Sequence, residues 1–201
     1  IAMVRKLALC MSLATFTAAC SQQINAKKLD DYFASLESNH KVMGSFAIAK
    51  NDKIVYTKTI GFADAATGQK ADVRTRYRIG SITKTFTAVL IMKAVEEGKL
   101  KLQDKLSKFF PQVKNSENIT VEQLLQHRSG IYNFTEAPDY FENNAKAVAG
   151  ADLLQKIAGY DSVFEPGSKY SYSNSNYSLL AFTLEKIYKN IFMILERQRF
   201  L

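Results

Sequence analysis

The sequence predicts a mixed α/β (α+β) fold: an antiparallel sheet flanked by helices, joined to a mainly helical part. Residues 40–80 hold β-type runs punctuated by turn residues, and residues 81–98 keep apolar side chains at helical spacing. The middle, about residues 99–168, reads as helix and loop, with no repeat or low-complexity linker to separate independent domains. With 201 residues, 47% apolar and 23% charged, the chain can bury a substantial core, which excludes intrinsic disorder and collagen-like structure.

Each element has a local reason. Over Lys27–Ser38, Leu29, Tyr32, Phe33 and Leu36 fall at i, i+3, i+4 and i+7, the pattern of an amphipathic helix. Gly44–Lys50 and Lys53–Ile60 are β-type runs joined at Asn51-Asp52, a hairpin signal. Thr67-Gly68 marks a turn before Val73–Ile79, which reads as a strand carrying Arg74, Arg76 and Arg78 in alternation. Ser81–Gly98 reads as a helix, with Ile82, Phe86, Val89, Leu90 and Ala94 on its apolar face and Gly98 as its stop. Thr120 with Gln123 has the spacing of a capping box that opens a short helix through Leu124 and Leu125. Asp152–Ala158 is helical in pattern, Pro166-Gly167 is a turn, and Tyr177, Leu180, Leu184 and Ile187 mark a last helix. The tail Ile191–Leu201 carries no turn, cap or finishing strand and reads as a chain that stops mid-fold.

Composition narrows the chemistry. The 27 basic and 19 acidic residues leave a charge of +8, but the lysines are scattered rather than gathered in a patch, so a basic surface is expected and nucleic-acid binding is not. Cys10 and Cys20 are the only cysteines, so the chain beyond residue 20 has no disulfide, thiolate nucleophile or Cys-based zinc site. His40 and His127 lie far apart with no metal-binding motif around them, and neither a metal nor a cofactor is expected.

The first 26 residues read as a signal peptide. Met3 starts it, Arg5-Lys6 forms a basic region, and Leu7–Ala19 is an apolar stretch too short to span a bilayer. Small residues before Cys20 fit a bacterial lipoprotein signal, with Cys20 as the acylated residue, although Thr17 stands where Leu is usual. Plain secretion, with cleavage near Ala19 or after Ala26, is the competing reading. Either places the protein in the cell envelope, in the periplasm or attached to a membrane through a lipid anchor.

Two short motifs carry chemistry. Ser81-Ile82-Thr83-Lys84 sets a hydroxyl and an amine three residues apart, on one face of a helix, where the amine reaches the hydroxyl. The helix dipole there favours charge on the serine oxygen and on an attacked carbonyl, and an amine that accepts a proton must first be neutral, which burial or a positive neighbour favours. Chance alone gives about 1.5 Ser-x-x-Lys matches in this composition, and there are two. The second, Ser38–Lys41, sits at a fraying helix end, whereas Ser81 follows Gly80 and opens an apolar helix. Tyr172-Ser173-Asn174 follows the Pro166-Gly167 turn, so Tyr172 can stand on a loop facing a cleft. A tyrosine beside a lysine can shuttle a proton, and an asparagine amide can bond a substrate carbonyl. Tyr188–Asn190 repeats the spacing at a helix end, where capping is the ordinary reading. His127, in Leu124-Leu125-Gln126-His127-Arg128-Ser129-Gly130, reads as a capping or packing residue rather than a catalytic one.

Taken in order, Gly80–Phe86, Leu124–Gly130, Pro166-Gly167 and Tyr172–Leu180 resemble the serine β-lactamase and penicillin-binding protein superfamily, closest to its class C β-lactamase-like branch; the resemblance runs from about Leu29 to about Lys189. It implies a β-lactamase/D,D-peptidase-like fold over residues 27–201. It also implies that Ser81 is an acylated nucleophile, Lys84 its activating partner, Tyr172 a proton carrier and Asn174 a substrate-binding amide. The implied activity is that of a serine hydrolase of the β-lactamase or D-alanyl-D-alanine carboxypeptidase type, acting on β-lactams, D-Ala-D-Ala peptides of peptidoglycan or small esters and amides. A non-catalytic peptidoglycan- or penicillin-binding envelope protein is the alternative. The family's downstream Lys/His-x-Gly element is absent from the sequence. The expectation is therefore a partial domain with an incomplete sheet.

Overall fold

The computed structural model describes residues 24–143 and 146–190. Residues 1–23, which hold Cys10, Cys20 and nearly all of the signal-peptide reading, and the tail 191–201 lie outside them. The chain divides into two compact units, Ile1–Arg78 and Ile79–Leu201.

The first unit is a hairpin covered by one helix. Helix α1 (Ala26–Ser38) opens on Asn25, whose side chain accepts from the Lys28 amide at 2.9 Å. Strands β1 (Gly44–Lys50) and β2 (Lys53–Ile60) pair antiparallel, and Asn51 and Asp52 both adopt the left-handed φ that a tight hairpin turn needs. Phe33 of α1 packs on Tyr56 and Ile60 of β2, with Leu29, Leu36 and Phe46 around them. Tyr32, expected on the same face, is exposed, so the apolar stripe is narrower than its spacing suggests. Two minimal strands, β3 (Phe62–Asp64) and β4 (Gln69–Lys70), pair across the Thr67-Gly68 turn. Val73–Ile79 is not a strand. Asp72 accepts from the Arg74 amide at 2.9 Å and donates its own amide to Thr75 Oγ1 at 2.8 Å, and this side-chain turn diverts the backbone from a ladder.

The second unit is mainly helical. A 3₁₀ turn (Gly80–Ile82) leads into helix α2 (Thr83–Glu96), which stops where Gly98 takes φ +69°. Helix α3 (Val121–Leu125) opens with the complete capping box of Thr120 and Gln123. The short helix α4 (Tyr140–Asn143), helix α5 (Gly150–Gly159) and helix α6 (Asn174–Tyr188) follow. Leu90, Ile91 and Ala94 of α2 share one core with Leu124 of α3, Ile157 of α5 and Leu179, Leu180 and Leu184 of α6. Ile82 and Val89, expected in that face, are exposed, and Thr87 and Ile91 are buried instead. Because α2 is apolar on nearly every side, periodicity does not select its inner face.

This core ties α2 to α6, and the start of each helix, with the turn or loop just before it, carries half of the site described below. Leu180 is fully buried, so Leu180→Ala is expected to destabilise the protein by about 2–5 kcal/mol through lost burial and the cavity left behind. A fall in the urea midpoint with an unchanged slope checks this.

Candidate active site

Ser81 lies in the 3₁₀ turn just before α2 rather than in the α-helix itself, and Gly80 takes φ +53° to start that turn. Lys84 is one turn further on, and its Nζ donates to Ser81 Oγ at 3.1 Å. Tyr172 stands on the loop leading into α6, and Asn174 is that helix's first residue. The Tyr172 hydroxyl is 2.9 Å from Ser81 Oγ and donates to Asn174 Oδ1 at 3.3 Å. Lys84 Nζ also donates to Asn174 Oδ1, at 2.8 Å, and lies 5.0 Å from the centre of the Tyr172 ring. All four residues singled out from the sequence therefore meet, Ser81 and Tyr172 across 91 positions of chain.

The electrostatics suit proton traffic. Desolvation pushes the Tyr172 phenol up, but hydrogen bonding to Lys84 and to Ser81 and the charge of Lys84 together outweigh it. The phenol ends below its ordinary range. Ser81, Lys84 and Asn174 open on a cleft of about 550 Å³, walled by Phe134, Tyr140, Phe141 and Tyr177. Among the described residues, no group of three or more His, Cys, Asp or Glu side chains could hold a metal ion.

Several residues that set this geometry escape sequence reasoning. Asn133 Oδ1 accepts from the Asn174 backbone amide at 3.0 Å and from its Nδ2 at 3.3 Å. Thr135 Oγ1 accepts from the same Nδ2 at 3.0 Å. With its NH₂ so engaged, the amide turns its oxygen toward Lys84 and Tyr172. Asn133 is itself held by a bond from its Nδ2 to Glu136 Oε1 at 3.0 Å. The Ser/Asn-rich run at the start of α6 is consumed in the same way: Ser175 Oγ donates to the Tyr132 carbonyl at 2.6 Å, and Asn176 Oδ1 accepts from Ser129 Oγ at 2.6 Å. Gly130, between these partners, takes φ +77°, and a Cβ there would run into the Phe164 carbonyl. The run of serine and asparagine over residues 173–178 is the one sequence signal that polar partners were needed there. His127 is buried, its ring lying against those of Tyr172 and Tyr177.

Residues 29–199 match the family model described as beta-lactamase. The chain belongs to the beta-lactamase family. It is 35% identical over 159 residues to Protein flp of Staphylococcus aureus (strain N315), covering 77% of this chain and 32% of that protein. It is 34% identical over 161 residues to the teichoic acid D-alanine hydrolase of Staphylococcus aureus, covering 80% of this chain and 38% of that protein. Among solved structures, the octameric penicillin-binding protein homologue from Pyrococcus abyssi superposes with a TM-score of 0.75 at 30% identity, covering 89% of this chain and 42% of that one. The chain thus spans about a third of the length of the curated relatives it matches. The fold is of the beta-lactamase type, and here it combines helices with two small antiparallel sheets.

Proposed function

We propose that this protein is an envelope serine hydrolase that forms an acyl-enzyme on Ser81. The observation that carries the reading is the convergence of Ser81 Oγ, Lys84 Nζ and the Tyr172 hydroxyl within hydrogen-bond distance. Ser81 Oγ attacks the substrate carbonyl while its proton passes to the Lys84–Tyr172 pair. The positive end of α2 and the Ser81 amide favour the charge developing on the carbonyl oxygen. Collapse expels the leaving group, which takes the proton back from Tyr172, and water then releases the acyl group by the same path in reverse. Asn174 holds Lys84 in place through its Oδ1 and lines the cleft in which substrate would bind.

The substrate class follows from what one matched protein is named for, removal of D-alanine from teichoic acid. We favour D-alanyl esters and amides, with D-Ala-D-Ala peptides, small esters and β-lactams sharing the same acyl chemistry, and we assign the chain to the class C-like branch. A signal peptide over residues 1–26, with Cys20 as the lipidated residue, suits a substrate outside the cytoplasm.

Treating the protein with a fluorophosphonate and with a fluorescent penicillin is expected to give an adduct that maps to Ser81 by mass spectrometry. Chromogenic ester turnover should accompany it. Labelling at another residue, or none with either probe, would overturn the assignment. A stable penicillin adduct without ester turnover would favour the non-catalytic binding protein.

A further inference from the structure

We propose that His127 is a positioning residue that keeps Tyr172 in register with Ser81, and that protonation of its imidazole releases Tyr172. The structural half of this stands by itself; the kinetic half rests on the hydrolase reading above.

His127 grips the chain on both sides of Tyr172. Its carbonyl accepts from the Ser171 amide at 2.9 Å, and its Nδ1 accepts from the Ser173 amide at 3.1 Å. The residue between those amides is the one whose hydroxyl meets Ser81. The imidazole also lies against the Tyr172 ring, with centroids 4.6 Å apart, and against that of Tyr177 at 5.1 Å. His127 reaches this position only by adopting φ +57° just past α3. A non-glycine residue in that region is uncommon and needs surrounding contacts to hold it there.

The grip requires a neutral ring. Nδ1 accepts a hydrogen bond only when it carries no proton, so the proton sits on Nε2. The groups facing the ring are the Lys84 ammonium from α2, the rings of Tyr170, Tyr172 and Tyr177, and the Asn176 amide at 3.5 Å. Arg128 follows in the chain and directs its guanidinium to the Gly167 carbonyl. Among the described residues, no carboxylate bonds the imidazole. Burial and then the Lys84 charge hold its pKa below the ordinary 6.5. At neutral pH the imidazole therefore accepts. A proton on Nδ1 would set two N–H groups face to face, leave the amide of buried Ser173 without its acceptor and bring a second positive charge toward Lys84. The lowered folded value fixes the sign: the stability contributed by neutral His127 is full above about 6.5 and is lost as pH falls through the folded value.

Two measurements test this. In NMR titration of the wild-type protein, the Tyr172 ring resonances are expected to shift with the same midpoint as the His127 imidazole. Silence of Tyr172 while His127 protonates would overturn the proposal whatever the enzymology shows. In kinetics, His127→Asn keeps an acceptor near the Nδ1 position, tolerates left-handed φ and does not titrate. It should retain kcat/KM at pH 8 within about threefold, with its acid limb moved to lower pH. His127→Phe keeps the ring but removes the acceptor, and should lose about tenfold or more in kcat at every pH. Superimposable pH profiles for wild type and the Asn variant would overturn the proposal. Failure of Ser81 labelling at pH 8 would instead remove the hydrolase reading, leaving the titration to judge His127.

Discussion

Ser81→Ala is expected to bring turnover of a chromogenic ester down to background, a loss of roughly 10⁶-fold for a site that works through one nucleophile. Covalent labelling should vanish with it. The fold should survive, because the Ser81 hydroxyl is exposed to the cleft and its partners Lys84 and Tyr172 are the reactive groups themselves rather than core residues. An unchanged melting temperature with no acyl adduct is the expected pair of results. Residual labelling in the alanine variant would assign the nucleophile to another residue.

The second large effect concerns the two proton carriers. Lys84→Ala removes the donor that spans Ser81 and Asn174, and Tyr172→Phe removes only a hydroxyl, leaving the ring against His127 in place. Each should slow acylation by roughly 10²–10⁴-fold, the usual worth of a positioned acid–base group. The two losses should not add in the double variant, because both groups act on the same proton. Pre-steady-state acylation rates for the single and double variants check this. A wild-type rate in either single variant would show that the proton leaves Ser81 by another path.

Much of the fold was legible where chemistry is local. The Asn51-Asp52 hairpin, the Thr120/Gln123 capping box and the Gly98 stop each depend on residues within four positions of one another, and all three stand as expected. The face of α2 was not legible, since Val89, Leu90, Ile91 and Met92 are consecutive apolar residues and only the tertiary partner decides which of them is covered. Val73–Ile79 has β-type composition, but the Asp72–Thr75 side-chain turn where it begins overrides that preference. For the site, the Ser81–Lys84 contact follows from helical spacing alone. That Tyr172 and Asn174 join them came from the resemblance, because no local rule brings residues 91 apart together. Asn133 and Thr135 carry no periodicity and match no motif, so their part became visible only with the amide they orient.

That amide has a consequence for how the site meets a moving charge. In water, dipoles around a reacting group must reorient as charge shifts from one atom to another, and this reorganisation is a large share of the uncatalysed barrier. The Asn174 dipole cannot follow such a shift freely: its backbone and Nδ2 are tied to Asn133 and Thr135, and its oxygen already faces Lys84 and Tyr172. Its orientation was set when the chain folded, so the solvent-like response near Ser81 is largely frozen before any substrate arrives.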